Sequence, residues 1–227
     1  ARMDSVIDNI NVYHARIVAG KALAQSYPVE ADLVVGVPDS GLVAAKGYSE
    51  QSGIPYGMAF HKNSYVGRTF IKPKQSQRES SVKIKLNVIE EVVKGKRIVM
   101  VDDSIVRGTQ LRETTEFLYR NGAKEVHIRP ACPPLLYGCK YLNFSRSKSE
   151  MDLITRRVIA KREGENVSDK VLADYADPNS TNYKEMLEEI RKELNFTSLK
   201  FHRLDDLKAS IGISPCKLCT YCWDGKE

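Results

Sequence analysis

The chain has 227 residues, 42% hydrophobic and 28% charged, the balance of a globular protein with a real core: one sizeable α/β domain, or one with an appendage. It contains no apolar run long enough to cross a bilayer and opens on no signal-peptide pattern, so a cytoplasmic protein with no membrane partner is expected. The net charge of +6 and pI near 9.0 favour an anionic partner, but the basic runs Lys72–Lys85 and Arg156–Arg162 lack the interleaved aromatics of a single-strand binding surface, so nucleic acid is not expected.

In chain order, Val12 to Gln25 carries helical spacing through Ile17, Ala22 and Leu23, with Pro28 beyond its end. Leu33 to Val37 reads as a buried strand, and Ser40 to Gln51 as a helix starting at Asp39 or Ser40. Gly53-Ile54-Pro55 is a turn before a second strand near Tyr56 to Phe60. His61 to Asn87 has no clean period, and a loop of that length inside a domain reads as a lid or a disordered segment. Ile98 to Val101 is the central strand, followed by a helix from Gln110 to Asn121, with Gly122 as its cap. Glu125 to Arg129 is the next strand. This alternation argues for a mostly parallel sheet with helices on both faces.

After Thr155 the texture changes. Ala160 to Thr181 reads as a polar connector. Asn182 to Asn195 is amphipathic, with Asn182 and Glu185 as a capping pair and Met186, Leu187, Ile190 and Leu194 as its apolar stripe. Leu204 to Ile211 is a shorter helix, and Pro215 to Glu227 a cysteine-dense tail. The expected division is a domain over residues 1–159 and a connector, helices and tail over 160–227 packing on it.

The most informative stretch is Arg97-Ile98-Val99-Met100-Val101-Asp102-Asp103-Ser104-Ile105-Val106-Arg107-Gly108-Thr109-Gln110. An apolar run ends in adjacent acids where open α/β sheets bind ligands. The turn that follows offers hydroxyls, backbone amides and a helix N-terminus, the makings of a phosphate cradle. Two carboxylates beside such a cradle suggest a sugar phosphate whose ribose hydroxyls the acids accept. The pattern is not a nucleoside-triphosphate loop. The nearest match, Gly36-Val37-Pro38-Asp39-Ser40-Gly41, continues with Leu42-Val43 where Lys and a hydroxyl residue are required. Asp103, Asp39 and Ser40 each also admit a plain reading as helix caps, and Arg107 one as a surface residue.

The wording Val101-Asp102-Asp103-Ser104-Ile105-Val106-Arg107-Gly108-Thr109 resembles the ribose-phosphate signature of the type I phosphoribosyltransferases, and specifically their glutamine amidotransferase branch. Pro38-Asp39-Ser40-Gly41, Lys62-Asn63-Ser64-Tyr65-Val66-Gly67-Arg68-Thr69-Phe70-Ile71 and the cysteine-bearing tail carry the same resemblance. It implies amination of C1 of phosphoribosyl pyrophosphate by ammonia, with pyrophosphate as leaving group. Asp102 and Asp103 would bind ribose and, with Ser40, Mg²⁺. Ser104, Arg107, Gly108, Thr109 and Gln110 would hold the 5′-phosphate. Pro38, Asp39, Ser40 and Lys62 would line the pyrophosphate side. Tyr65 and Arg68 would act from a closing loop, with Lys83 and Lys85 nearby. Ser64 departs from the basic residue of the family pattern, and Lys72 and Lys74 also read as solvated charges.

In the same family ammonia comes from a glutaminase domain or subunit. Nothing here matches that domain and Ala1 is no initiator, so the chain resembles the phosphoribosyltransferase half alone, expected to form a homo-oligomer. The rival reading is a regulator that binds phosphoribosyl pyrophosphate without turnover. His14, His61, His127 and His202 are scattered and read as structural.

Cys216-Lys217-Leu218-Cys219-Thr220-Tyr221-Cys222 is a double CxxC that points to metal ligation rather than disulfides. In the resembled family a 4Fe–4S cluster is held by a tail CxxC, a cysteine after a Pro-Pro segment and one upstream. Here Cys219 and Cys222 match the first, and Cys139, after Pro133-Pro134, the second. The upstream ligand has no counterpart, leaving Cys216 as an open candidate beside structural zinc or loss of the cluster. Cys132 reads as a small buried residue.

Overall fold

The computed structural model describes residues 1–62, 86–141 and 150–226. The loop residues Ser64, Tyr65, Arg68, Lys72, Lys74, Lys83 and Lys85 lie outside them. No helix among the described residues is long and apolar enough to cross a membrane.

A small antiparallel hairpin, β1 (Val6–Ile7) and β2 (Ile10–Asn11), precedes the helix Val12–Ser26, whose His14 amide is capped by the Asn11 side chain. The main sheet is parallel. Its strands β3 (Leu33–Gly36), β6 (Arg97–Asp102), β7 (Glu125–Pro130) and β8 (Ser198–Leu199) stand in that order, between them β4 (Phe60–Lys62) and β5 (Leu86–Val88) forming a separate antiparallel pair. On the far side of β3, Tyr56 makes a parallel bridge to Val34, fixed by Val34 N–H to the Pro55 carbonyl at 2.8 Å and Gly57 N–H to the Val34 carbonyl at 2.9 Å.

Side chains of a strand alternate between faces, and each face here has its own core. Val34, Val99 and Val101 pack with Leu23, Ala24, Ala44, Ala45 and Tyr48 from the helices Val12–Ser26 and Leu42–Ser52. Val35, Ile98, Met100, Val126 and Ile128 pack with Leu111 and Leu118 of the helix Thr109–Arg120. The second core continues without a break through Ile154, Val158, Tyr183, Met186, Ile190, Leu199 and Phe201, so residues on both sides of position 160 share it. Helices on both faces of a parallel sheet are as the alternation predicts.

Four local expectations are corrected. The helix expected from Ser40 starts at Leu42, because Pro38 to Gly41 are spent on a turn closed by Gly41 N–H to the Val37 carbonyl at 2.9 Å. The strand expected over Tyr56 to Phe60 is reduced to the Tyr56 bridge, and regular pairing starts only at Phe60. The stretch read as a connector holds the end of the helix Ile154–Glu163 and all of Asp169–Ala176. The latter spans two turns and buries Leu172 and Tyr175, too short a stripe for a periodicity window. The cap of the helix Thr181–Glu193 is Ser180, accepting from Tyr183 N–H at 2.9 Å, and Asn182 instead bonds Asp174 at 2.7 Å. Leu204–Ile211 is helical as expected.

Candidate active site at the sheet switch point

The chain leaves β3 toward Tyr56 on one side and later returns to β6 on the other, so the sheet order reads second-first-third-fourth-fifth. The crevice beyond the carboxyl ends of β3 and β6 is therefore a topological switch point, where open parallel sheets bind ligands. Two loops meet there.

The first is Pro38 to Gly41, with a cis Pro38–Asp39 peptide. Val37 N–H bonds the Val101 carbonyl at 2.9 Å, seating this loop directly on the end of β6. Gly41 is required by that seat: a Cβ there would stand 2.4 Å from the Val101 carbonyl oxygen. Gly41→Ala is expected to cost about 1–3 kcal/mol through forced overpacking, measurable by chemical denaturation. The helix that follows is capped by Gly41 without any side-chain bond, so neither Asp39 nor Ser40 is occupied as a cap. Asp39 is exposed and paired with Lys62 at the end of β4, and Ser40 is half-buried.

The second loop runs from Asp102 to Gly108. Asp102 is half-buried and its Oδ1 accepts the Asp103 amide at 2.8 Å, while Asp103 is exposed and accepts the Ser104 hydroxyl at 3.1 Å. Burial, with Asp103 beside it, pushes the Asp102 carboxyl up to about 7, against the smaller opposing pull of the Asp103 amide. The cap of the helix Thr109–Arg120 is Gly108, five residues on from Asp103, so Asp103 is no helix cap either. Gly108 has φ +78°, and a Cβ there would meet Ile154 at 2.8 Å and Leu194 at 3.0 Å.

Among the described residues the amides of Arg107, Gly108, Thr109 and Gln110 donate to no backbone carbonyl. They lie at the N-terminus of the helix Thr109–Arg120, where amides without backbone acceptors favour an anion. The Arg107 side chain does not join these amides, because its guanidinium is paired with Asp152 at 2.8 Å. The Val37–Val101 bond sets the 38–41 loop beside the end of β6, from which the 102–108 loop leaves.

Sequence reasoning missed Arg157 and Ile154, which hold this loop from behind. Arg157 belongs to the basic run noted above, but spacing alone names no partner for it.

The cysteines form a second locus. The Cys222 carbonyl accepts the amides of Leu136 at 2.9 Å and Tyr137 at 3.1 Å, and the Tyr137 and Tyr221 rings lie 5.4 Å apart. This docks the tail on the segment that carries Cys139. Burial, with Cys139 and Cys219 near it, pushes the Cys222 thiol up. Cys132 is half-buried, bonds the Pro133 carbonyl at 3.2 Å, and its thiol is pushed up by burial and by Asp103 and Cys222 nearby. Cys216 is exposed beside the Ser214 hydroxyl. Among the described residues no three His, Cys, Asp or Glu side chains are arranged to hold a metal ion. His127 and His202 are buried and bonded to neighbours: His127 to Glu125 and Ser198, His202 to the Ala19 and Arg203 carbonyls.

Residues 8–132 match the model of the phosphoribosyl transferase domain. Over 225 residues the chain is 43% identical to a protein of Methanothermobacter thermautotrophicus named amidophosphoribosyltransferase, covering 99% of this chain and 41% of that protein. A Bacillus subtilis protein of the same name is 41% identical over 230 residues, covering 42% of its length. The solved structure of glutamine phosphoribosylpyrophosphate amidotransferase from B. subtilis, complexed with ADP and GMP, superposes with a TM-score of 0.77 at 42% identity, covering 100% of this chain and 44% of that one. The chain spans about two fifths of the length of the curated relatives it matches. With its signature loops meeting at the switch point, this chain belongs to the phosphoribosyl transferase domain family.

Proposed function

We propose that the chain is the phosphoribosyltransferase part of an amidophosphoribosyltransferase, which joins ammonia to C1 of phosphoribosyl pyrophosphate as a committed step toward purines. The observation that carries this reading is the run of amides at Arg107 to Gln110 that, among the described residues, donate to no backbone carbonyl, beside the Asp102–Asp103 pair. A 5′-phosphate fits the cradle and ribose hydroxyls fit the acids. The names of relatives above 40% identity support the same chemistry.

In the reaction the N–C1 bond forms as the C1–O bond to pyrophosphate breaks. Pyrophosphate departs with the electron pair and the attacking ammonia gives up a proton. No side-chain nucleophile is required: the residues position ribose, 5′-phosphate and pyrophosphate for attack. Asp39, Ser40 and Lys62 border the pyrophosphate side. Tyr65 and Arg68, outside the described residues, would act in excluding water from C1. Mg²⁺ would be held by Ser40, Asp102 and Asp103, a hard-oxygen set that suits it, and supplies charge neutralisation for the leaving group. The raised carboxyl of Asp102 fits a cation partner, since a carboxylate held away from water beside another acid gains most from one.

In the complete protein ammonia would come from a glutaminase domain or subunit of a cytoplasmic homo-oligomer. The isolated chain is expected to release pyrophosphate with free ammonia and Mg²⁺ and to ignore glutamine. Glutamine-dependent turnover by the pure chain would overturn this. Binding of phosphoribosyl pyrophosphate with no pyrophosphate release under any ammonia concentration would favour the regulator instead.

An iron–sulfur cluster would be held by Cys139, Cys219 and Cys222, with Cys216 or an upstream cysteine as the fourth ligand; Cys139 and Cys219 lie near Cys222, and the thiols would have to draw together to ligate it. The docking of the Cys222 backbone on Leu136 and Tyr137 supports a shared site, and soft thiolates suit iron–sulfur or zinc. Anaerobic purification is expected to give iron and acid-labile sulfide that Cys139→Ser, Cys219→Ser and Cys222→Ser each lose. Zinc without sulfide would replace the cluster by the structural-zinc reading.

A further inference from the structure

We propose that Arg157 is a positioning residue for the phosphate cradle: it turns the carbonyl edge of the loop outward and thereby aims the amides at the 5′-phosphate. This rests on the phosphoribosyl pyrophosphate reading and deepens it, placing a determinant of phosphate affinity beyond the matched residues 8–132.

The argument starts from the peptide bond. A trans peptide is a rigid plane with C=O and N–H on opposite edges, so fixing the carbonyl fixes where the following amide points. The Val106 carbonyl accepts the Ile154 amide at 2.8 Å, and the Arg107 carbonyl accepts Arg157 Nη2 at 2.8 Å. Both acceptors are turned toward the start of the helix Ile154–Glu163. The amides on the opposite edges, those of Arg107 and Gly108, therefore point away from that helix, and neither donates to a backbone carbonyl among the described residues. Released, the Arg107–Gly108 plane is free to rotate and present an oxygen to the dianion.

Arg157 is itself held in place. Its Nη1 bonds the Asp152 carbonyl at 3.1 Å and Glu193 stands 4.0 Å from its Nη2. The Asp152 carboxylate meanwhile grips the Arg107 guanidinium at 2.8 Å, so one short segment restrains both the backbone and the side chain of Arg107. The two-pronged geometry needs a guanidinium, since the single ammonium of Lys cannot reach both carbonyls in one fixed plane.

The test compares two ligands in the 227-residue chain by calorimetry: ribose 5-phosphate, which probes the cradle, and Mg²⁺-pyrophosphate, which probes the other loop. Arg157→Ala is expected to weaken ribose 5-phosphate roughly tenfold, the scale of one charge-assisted hydrogen bond, and to leave pyrophosphate within about twofold. Arg157→Lys should recover only part of the loss. Unchanged ribose 5-phosphate affinity overturns the proposal, and so does parallel loss of both ligands, which marks a merely structural role. Should Arg157→Ala fail to fold, Arg157→Lys carries the same comparison. If the unaltered chain binds neither ligand, the phosphoribosyl pyrophosphate reading has failed; if it binds both and the variants match it, the positioning role alone has failed.

Discussion

Asp102→Asn and Asp103→Asn are each expected to lower the rate of phosphoribosylamine formation by on the order of 10²-fold or more, the scale seen when one preorganised polar contact to the reacting centre is lost. Asp102 ends β6, Asp103 follows it, and Asn nearly matches Asp in size, so the loss falls on ribose and cation binding and not on packing. Asn retains the shape and an acceptor oxygen, which keeps the Asp103 amide bond to position 102 available. It removes the charge. Steady-state kinetics at saturating Mg²⁺, with circular dichroism to confirm the fold, give the readout. Near-normal rates in both variants would sink the assignment of the acids.

The same substitution at position 102 is expected to stabilise the metal-free, ligand-free protein. The folded-state carboxyl of Asp102 titrates near 7, against 3.8 for the unperturbed group, because burial and Asp103 disfavour its charge. The folded pKa is raised, so its favourable contribution is complete below about pH 4 and is lost as pH rises toward 7. Above that pH the folded protein carries a carboxylate it holds poorly. Asp102→Asn removes that penalty, and at pH 8 it should gain about 2–4 kcal/mol over the unaltered chain, the linkage equivalent of the shift after allowing for partial solvent access. The gain should shrink on acidification and vanish near pH 4. Thermal melts of both proteins across this range, in chelator and without substrate, measure it. A pH-independent difference, or a destabilised variant at pH 8, would rule the account out. Loss of activity with gain of stability at one residue is the signature of a side chain kept for its ligand.

Much of this arrangement is legible in the sequence because it is local. Buried parallel strands are continuous apolar runs, so Ile98 to Val101 announces itself. The acids at its end and the Gly108 turn lie within a few residues of it, where chain geometry alone fixes their neighbours. The helices Val12–Ser26 and Leu204–Ile211 show their apolar faces at helical spacing for the same reason. What escaped is short. The two-turn helix Asp169–Ala176, the two-residue strand β8 and the single Tyr56 bridge carry too few residues to register a period.

The sequence by itself determined the fold class, the three strands nearest the switch-point loops, and which loop carries the adjacent acids. Tertiary structure decided the rest. It set β3 beside β6 so that loops some sixty residues apart became one crevice, Val37 N–H bonding the Val101 carbonyl at 2.9 Å. It buried Asp102 beside Asp103 enough to raise its carboxyl, though the sequence shows only two adjacent acids. It docked Cys222 on the segment leading to Cys139, and it put Arg157 on the Arg107 carbonyl, fifty positions away in the chain. The physical reason is common to all of them. Propensity and periodicity report what a residue does with its neighbours within a turn or two, whereas desolvation, carbonyl clamping and docking depend on which distant surfaces the two cores press together.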